Sequence, residues 1–247
     1  MKKIIASSKT IQPITLDNTN LSQGWIRSWE NNNTEFIKKI AKKLPSNAKV
    51  LDIGSGDFRN SVNLIKNGMK YNKGEFKCYG IDNGIQYQST IFTEKDGSKL
   101  MEYFEWLSCI NPKIAPLKEL PTIIESSVEK ELDVGIPNNL DATLLCNILH
   151  LIPKRIQNQL FKSLTVALNP NALLVITGFS IEDQQSIREL KQKNFSDDEI
   201  NHRLLSKTRI ETICKTYGFT IVEEIQQFKT KRYDFTSAIS QKYILRR

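Results

Sequence analysis

Apolar residues along the chain follow two spacings, one helical and one extended. Ile37, Ile40, Ala41 and Leu44 recur on one side of a helical repeat from about Thr34 to Leu44, which Pro45 stops. Lys49 to Ile53 reads as a strand. A helix pattern from about Asp57 to Asn67 follows, with Val62, Ile65 and Met69 on its apolar side and Gly68 as its expected end. Phe76 to Ile81 is a second strand, ending at Asp82, and an amphipathic helix around Lys99 to Ile110 carries Leu100, Phe104 and Leu107 in register. Strands are expected at Thr122 to Glu125 and at Asp141 to Cys146. Leu160, Phe161, Leu164 and Leu168 mark a helix that Asn169-Pro170-Asn171 terminates. Ala172 to Gly178 is a continuous apolar strand, the kind that lies in a parallel sheet covered on both faces. Residues 181–205 read as inserted helices, with Ser196 and Glu199 as a capping box. Thr208 and Glu211 suggest another box, opening a helix that Gly218 closes. Phe219 to Ile225 and Ser237 to Leu245 read as an antiparallel pair joined by the basic turn Lys229-Thr230-Lys231-Arg232.

Five strand–helix units followed by a strand pair predict a doubly wound α/β fold, with a mostly parallel seven-stranded sheet and a C-terminal antiparallel pair. Residues 34–247 are expected to form one domain, with inserted helices at about 83–120 and 181–205. Residues 1–33 have no clear period and read as an arm or lid, in which Trp25 and Trp29 stand four apart on one helix face. These segments are natural places for substrate recognition on such a fold. Trp25 and Trp29 are candidates to cover the cofactor or a flat substrate, although core packing of a leading helix is the commoner meaning of such a pair.

Composition narrows the functions only a little. No apolar run among the 247 residues approaches a membrane span, and the apolar part of Met1 to Ala6 stops at Ser7, far short of a signal-peptide core. The four cysteines are widely spaced and there are two histidines, so no zinc pattern arises; reduced thiols in a cytoplasmic protein are the plain expectation. A net charge of +8 favours acidic partners, but the lysines are scattered over helix faces rather than gathered in a stripe.

The chemistry concentrates in Val50-Leu51-Asp52-Ile53-Gly54-Ser55-Gly56-Asp57-Phe58-Arg59. An apolar strand ends in an acid and a two-glycine turn leads into a helix, so backbone amides can approach a ligand closely. A dinucleotide fingerprint would want a third glycine or alanine where Arg59 stands. Asp52 and Asp57 would also repel a pyrophosphate. A cation with an adenosine end, such as S-adenosylmethionine, suits this field better. Asp82, 26 positions after Gly56, can accept both hydroxyls of a ribose; a helix cap on a solvated turn is the plainer alternative.

With VLDIGSGDF (50–58), YGID (79–82), DATLLCNILHLIP (141–153), LNPNALLVITGF (168–179) and YGFTIVEE (217–224) in this order, the chain resembles the class I S-adenosylmethionine-dependent methyltransferases over residues 34–247. The resemblance implies that Asp52, Gly54, Ser55, Gly56 and Asp57 line the methionine end of the cofactor and that Asp82 holds its ribose. It further places Asn83, Ser127 and Val128 near the adenine, and Asn147 and Leu149 between cofactor and acceptor. Phe58 departs from a frequent glycine, and the run from Asp82 to Thr122 is long.

The expected activity is methyl transfer to a small-molecule acceptor by in-line displacement, with S-adenosyl-L-homocysteine as product. Alignment supplies much of such catalysis, and a base is needed only if the acceptor keeps a proton. His150 is the candidate base, against a histidine packed at a helix start. Cys146, on a buried strand, reads as core. Alternatives are an RNA or protein acceptor, a cofactor-binding scaffold without turnover, and, last, a nicotinamide oxidoreductase. No Asn-Pro-Pro-Tyr or Asp-Pro-Pro-Tyr run follows the fourth strand, which by the resemblance counts against amino-methylation of nucleic-acid bases. No metal site and no membrane association are expected.

Overall fold

Helix α1 (35–43) turns Phe36, Ile37, Ile40 and Ala41 into the core. Its last carbonyls are capped from elsewhere in the chain: Lys73 Nζ donates to Lys42 O at 2.6 Å and to Leu44 O. A computed structural model describes residues 35–56, 59–82, 121–231 and 237–247. The arm with Trp25 and Trp29, the helix expected around Lys99 to Ile110, and Asp57 and Asn83 lie outside them.

After α1 the described chain runs β1 (Lys49–Ile53), α2 (Arg59–Lys70), β2 (Lys77–Asp82), β3 (Thr122–Glu125), α3 (Val128–Val134) and β4 (Leu140–Cys146). It continues through α4 (Lys154–Ala167), β5 (Leu168–Phe179), α5 (Gln184–Gln192), α6 (Asp197–Arg203), α7 (Lys207–Tyr217), β6 (Thr220–Lys231) and β7 (Ser237–Arg246). The strands form one seven-stranded sheet in the order β3-β2-β1-β4-β5-β7-β6. The pairs from β3 to β5 are parallel, and β7 is antiparallel to both β5 and β6. This is the doubly wound sheet that the alternating pattern predicts.

Side chains alternate across each strand, so the sheet carries two cores. Val50, Leu144, Val175 and Ile244 pack under α1 and α2. Leu51, Leu145, Leu174 and Tyr243 pack under α4 and α7, with Leu160, Phe161 and Ile210. Burying each such aliphatic side chain contributes roughly 1.5–3 kcal/mol, the gain that makes the strand register costly to slip. At the amino-terminal ends of the central strands Asp141 accepts from Lys49 N at 2.8 Å and Asn169 Nδ2 at 3.0 Å, tying β1, β4 and β5 together where they begin.

Four local expectations are corrected. Gly68 does not end α2 but lies within it, where a Cβ would stand 3.0 Å from Gly74 O and from the Phe76 ring. Thr208 does not cap α7. Ser206 does, its Oγ accepting from Arg209 N at 3.2 Å. Lys229, Thr230 and Lys231 are strand rather than turn, opposite Ile239, Ala238 and Ser237. Strand β5 also begins at Leu168, directly after α4, without a separate terminating loop.

The inserted helices are fastened at their base. Leu205 N donates to Phe179 O and Ile181 N to Leu205 O, both at 2.8 Å, forming a bridge between Ser180 and Leu205. Asp183 caps α5 through Ser186 N at 3.0 Å and also accepts from Ile239 N of β7 at 3.1 Å. Ser196 and Glu199 form the expected capping box on α6.

Candidate functional site

Strand order reverses between β1 and β4, and the crevice beyond their carboxyl ends is where doubly wound sheets bind ligands. The glycine turn occupies this place. Gly54 and Gly56 have φ of 68° and 55°, a backbone that side-chain-bearing residues rarely adopt. Gly54 N and Ser55 N both donate to Ile81 O, at 2.8 and 3.2 Å, and Gly56 N donates to Asp82 Oδ2 at 2.9 Å. The loop therefore hangs on the end of β2. At Gly54 a Cβ would stand only 2.6 Å from Cδ1 and Cγ1 of Ile148, so this glycine is demanded by packing as well as by conformation.

Asp52 is fully buried, and Ser61 Oγ from the first turn of α2 donates to its Oδ2 at 3.0 Å. Its charge is felt nearby. Burial first, then the Asp52 carboxylate, push the Cys146 thiol up to about 12 and raise that of Cys78 as well. Cys146, half-buried against the core, is thus a neutral thiol near pH 7 and a poor nucleophile.

Asp82 O accepts from Ser126 N at 2.8 Å, which brings the end of β3 beside the end of β2. Ser127 caps α3, its Oγ accepting from Lys130 N at 3.3 Å, and Val128 packs partly against the core. Asn147 has φ 55° and is exposed, with its N–H donating to Thr177 O at 2.9 Å. Leu149 is buried and opens a short 3₁₀ turn, Leu149–Leu151, that carries His150. The His150 ring lies 5.4 Å from that of Phe179, and Arg203 donates to its carbonyl oxygen. Among the predicted residues the structure therefore gathers Asp52, Gly54, Ser55, Gly56, Asp82, Asn147, Leu149 and His150 at the carboxyl ends of β1, β2 and β4, with Ser127 and Val128 after β3. Among the described residues no group of three or more His, Cys, Asp or Glu could hold a metal ion.

Several neighbours escaped the sequence reading. Ile148 fills the space above Gly54, although it stands as one apolar residue in a short irregular segment. Lys242 of β7 is buried to 3 % exposure opposite Thr177, which in turn pairs with Cys146, and its Nζ lies 5.1 Å from the Phe36 ring centroid. Burial pulls Lys242 down to about 8. Neither carries a local signal, because each matters only once the strands are adjacent.

No protein-family model matches the chain, and no curated protein matches it by sequence. Solved structures do match. A candidate sarcosine dimethylglycine methyltransferase of Galdieria sulphuraria is similar with TM-score 0.56 and 13% identity, over 92% of this chain and 89% of that one. An S-adenosylmethionine-dependent methyltransferase of Archaeoglobus fulgidus matches with TM-score 0.51 and 12% identity, over 90% and 99%. An O-methyltransferase family protein of Burkholderia thailandensis matches with TM-score 0.53 and 10% identity, over 91% of this chain and 57% of that one. The fold is that of the class I S-adenosylmethionine-dependent methyltransferases. No helix among the described residues is long and apolar enough to cross a membrane.

Proposed function

We propose that this protein is an S-adenosylmethionine-dependent methyltransferase that transfers a methyl group to a small-molecule acceptor by in-line displacement. The observation that carries the proposal is the glycine loop hung on Ile81 and Asp82 beside the buried Asp52, at the point where strand order reverses. This donor set fits the cofactor. Two acids and a loop bare of side chains at two of three positions suit a cation with an adenosine end, whereas a pyrophosphate would meet their charge.

In this reading Asp82 accepts the ribose hydroxyls, with Asn83 and the Ser127–Val128 segment beside the adenine. Gly54, Ser55, Gly56 and Asp57 line the methionine end, and Asp52 stands behind them. Asn147 and Leu149 form the wall between cofactor and acceptor. The bound cofactor supplies a methyl group on a sulfonium, which leaves as the neutral thioether of S-adenosyl-L-homocysteine. The chain aligns the acceptor with that methyl group. His150 takes the acceptor's proton where it carries one.

A small acceptor is favoured because the basic residues are scattered over helix faces rather than gathered in a stripe, and several of them meet acids or carbonyls of the chain itself. Lys39 and Lys43 meet Glu223 at 2.9 and 3.7 Å, Lys154 meets Asp198 at 3.0 Å, and Lys73 caps α1. Calorimetric titration with S-adenosylmethionine, S-adenosylhomocysteine and NAD tests the cofactor class. Binding of NAD in place of the other two would sink the reading. Label transfer from methyl-labelled cofactor into fractions of a cell extract tests the acceptor. Transfer confined to RNA or protein fractions would remove the small-molecule part, and binding without transfer to any fraction would mark a scaffold.

A further inference from the structure

The turn that carries His150 is held from below by a buried polar relay that crosses three elements. Gln157 of α4 is 1 % exposed, and its Nε2 donates to Leu149 O and Ile152 O, both at 2.8 Å, with His202 O as a longer contact at 3.4 Å. Its Oε1 accepts from Arg209 Nη2 of α7 at 2.6 Å, and Arg209 Nη1 donates to Leu204 O at 2.9 Å. From the α6 side, Arg203 donates to His150 O while its guanidinium lies 4.0 Å from the Phe195 ring centroid. The carbonyls of Leu149, His150 and Ile152 thus each meet a side-chain donor from α4 or from the insert.

Burying an arginine is costly unless its donors are met. Burial pulls the Arg209 guanidinium down to about 10. A helix-to-helix contact between α4 and α7 needs no such group, since Phe161 and Tyr217 already pack there at 5.4 Å between ring centroids. What the relay adds is orientation: one amide fixes two carbonyls of the 3₁₀ turn, and one guanidinium fixes both that amide and the end of α6.

We infer that Gln157 and Arg209 are positioning residues that fasten the 149–152 turn to the inserted helices, so that turn and insert form one rigid wall on the acceptor side of the site. The acceptor part rests on the methyltransferase reading; the fastening does not. The insert is then no swinging lid. Its base is bridged at Ser180 and Leu205, the adjoining end of α6 at residues 202–204 is tied to the turn, and acceptor shape is set by a unit that moves as one.

The decisive variant is Gln157→Glu, which keeps an acceptor for Arg209 but removes the amide donors. Arg209→Lys is the second, keeping the charge while losing the two-pronged reach. Amide hydrogen exchange reports the turn through Leu151 and Ile152, whose N–H groups bond Ile148 O and Leu149 O, and the insert through Leu204, bonded to Ile200 O. In both variants exchange should rise together at these two segments by about tenfold or more, while β1 and α2 stay at wild-type rates. S-adenosylhomocysteine affinity should stay within about twofold, and transfer of labelled methyl into the active extract fraction should fall about fivefold or more, with a higher apparent KM for that fraction. Faster exchange in only one of the two segments would overturn the fastening. Unchanged transfer with faster exchange in both would overturn its role at the acceptor. If the wild-type protein binds neither S-adenosylmethionine nor S-adenosylhomocysteine, the cofactor reading fails, and the exchange pattern alone still decides whether turn and insert are one unit.

Discussion

Gly56 N donates to Asp82 Oδ2 at 2.9 Å, so the carboxylate expected to meet a ribose also holds the glycine loop in place. Asp82 therefore has two separable duties. Replacing it with alanine removes both, and should lower S-adenosylhomocysteine affinity by about tenfold or more, since hydrogen bonds to a charged group are worth roughly 1.5–3 kcal/mol. The melting temperature should also fall. Asp82→Asn keeps an oxygen that can accept from Gly56 N but loses the charge, so its melting curve should stay near wild type while affinity still drops. Titration calorimetry beside thermal melts checks this, and wild-type affinity in the asparagine variant would reduce Asp82 to a loop support.

Gly54 makes a different demand. At φ 68° and with Ile148 carbons 2.6 Å from a built Cβ, Gly54→Ala should cost about 2–5 kcal/mol, part backbone strain and part overpacking. Ile148→Ala removes the two carbons at 2.6 Å but keeps the Cβ at 3.0 Å and the strain. Urea unfolding of the two single variants and the double should thus show non-additivity, the double being about 1–3 kcal/mol better than the sum. Strict additivity would mean that the close approach is not what selects glycine here.

Lys242 ties stability to pH. Burial lowers its folded-state value from the usual 10.5 to about 8. A lowered lysine means that the folded protein binds fewer protons than the unfolded chain between those values, so this group's contribution to stability rises with pH through that window. Below about pH 8 both states are charged and the burial penalty is fully present, at most roughly 3 kcal/mol. Lys242→Met, which keeps the stem and drops the ammonium, should be more stable than wild type at pH 7. The difference should shrink toward pH 10.5, and denaturant unfolding at a series of pH values measures it. A gap independent of pH would assign the effect to packing.

The parts of the fold that were legible in advance are those set by burial on two faces. Strands β1, β4 and β5 read as apolar runs because both of their sides are covered, and Ser196 with Glu199 read as a cap because the whole device is local. Ser206 and Thr208 are both capping residue types two positions apart. The bridge of Leu205 to Ser180 settles the choice by fixing the chain so that Ser206, with φ −141°, is the last extended residue. Lys229 to Lys231 looked like a turn because basic residues usually sit in water, yet β6 is an edge strand, where lysines are tolerated. The glycine loop and Asp82 were readable from spacing. Ile148 above Gly54, and Arg209 reaching Gln157 across 52 positions, were not, because such contacts exist only after β1 meets β4 and α7 meets α4.

His150 gives the sharpest test of chemistry. Its backbone is fixed by Arg203 and by the 3₁₀ turn, and its ring lies near Phe179 at the end of β5, so removing the ring should leave the turn in place. If the ring takes a proton from the acceptor, His150→Ala should lower kcat by about tenfold or more, general bases being worth roughly 10²–10⁴. S-adenosylhomocysteine affinity should stay within about twofold, because the glycine loop, which the proposal gives to the cofactor, hangs on β2 and not on this turn. A wild-type rate would exclude the base role and leave alignment alone as the source of rate. A loss of cofactor affinity would instead place the ring among the groups that hold the cofactor. The pH profile adds a second check: with the base present, the rate should rise as the imidazole loses its proton, and that limb should vanish in the variant.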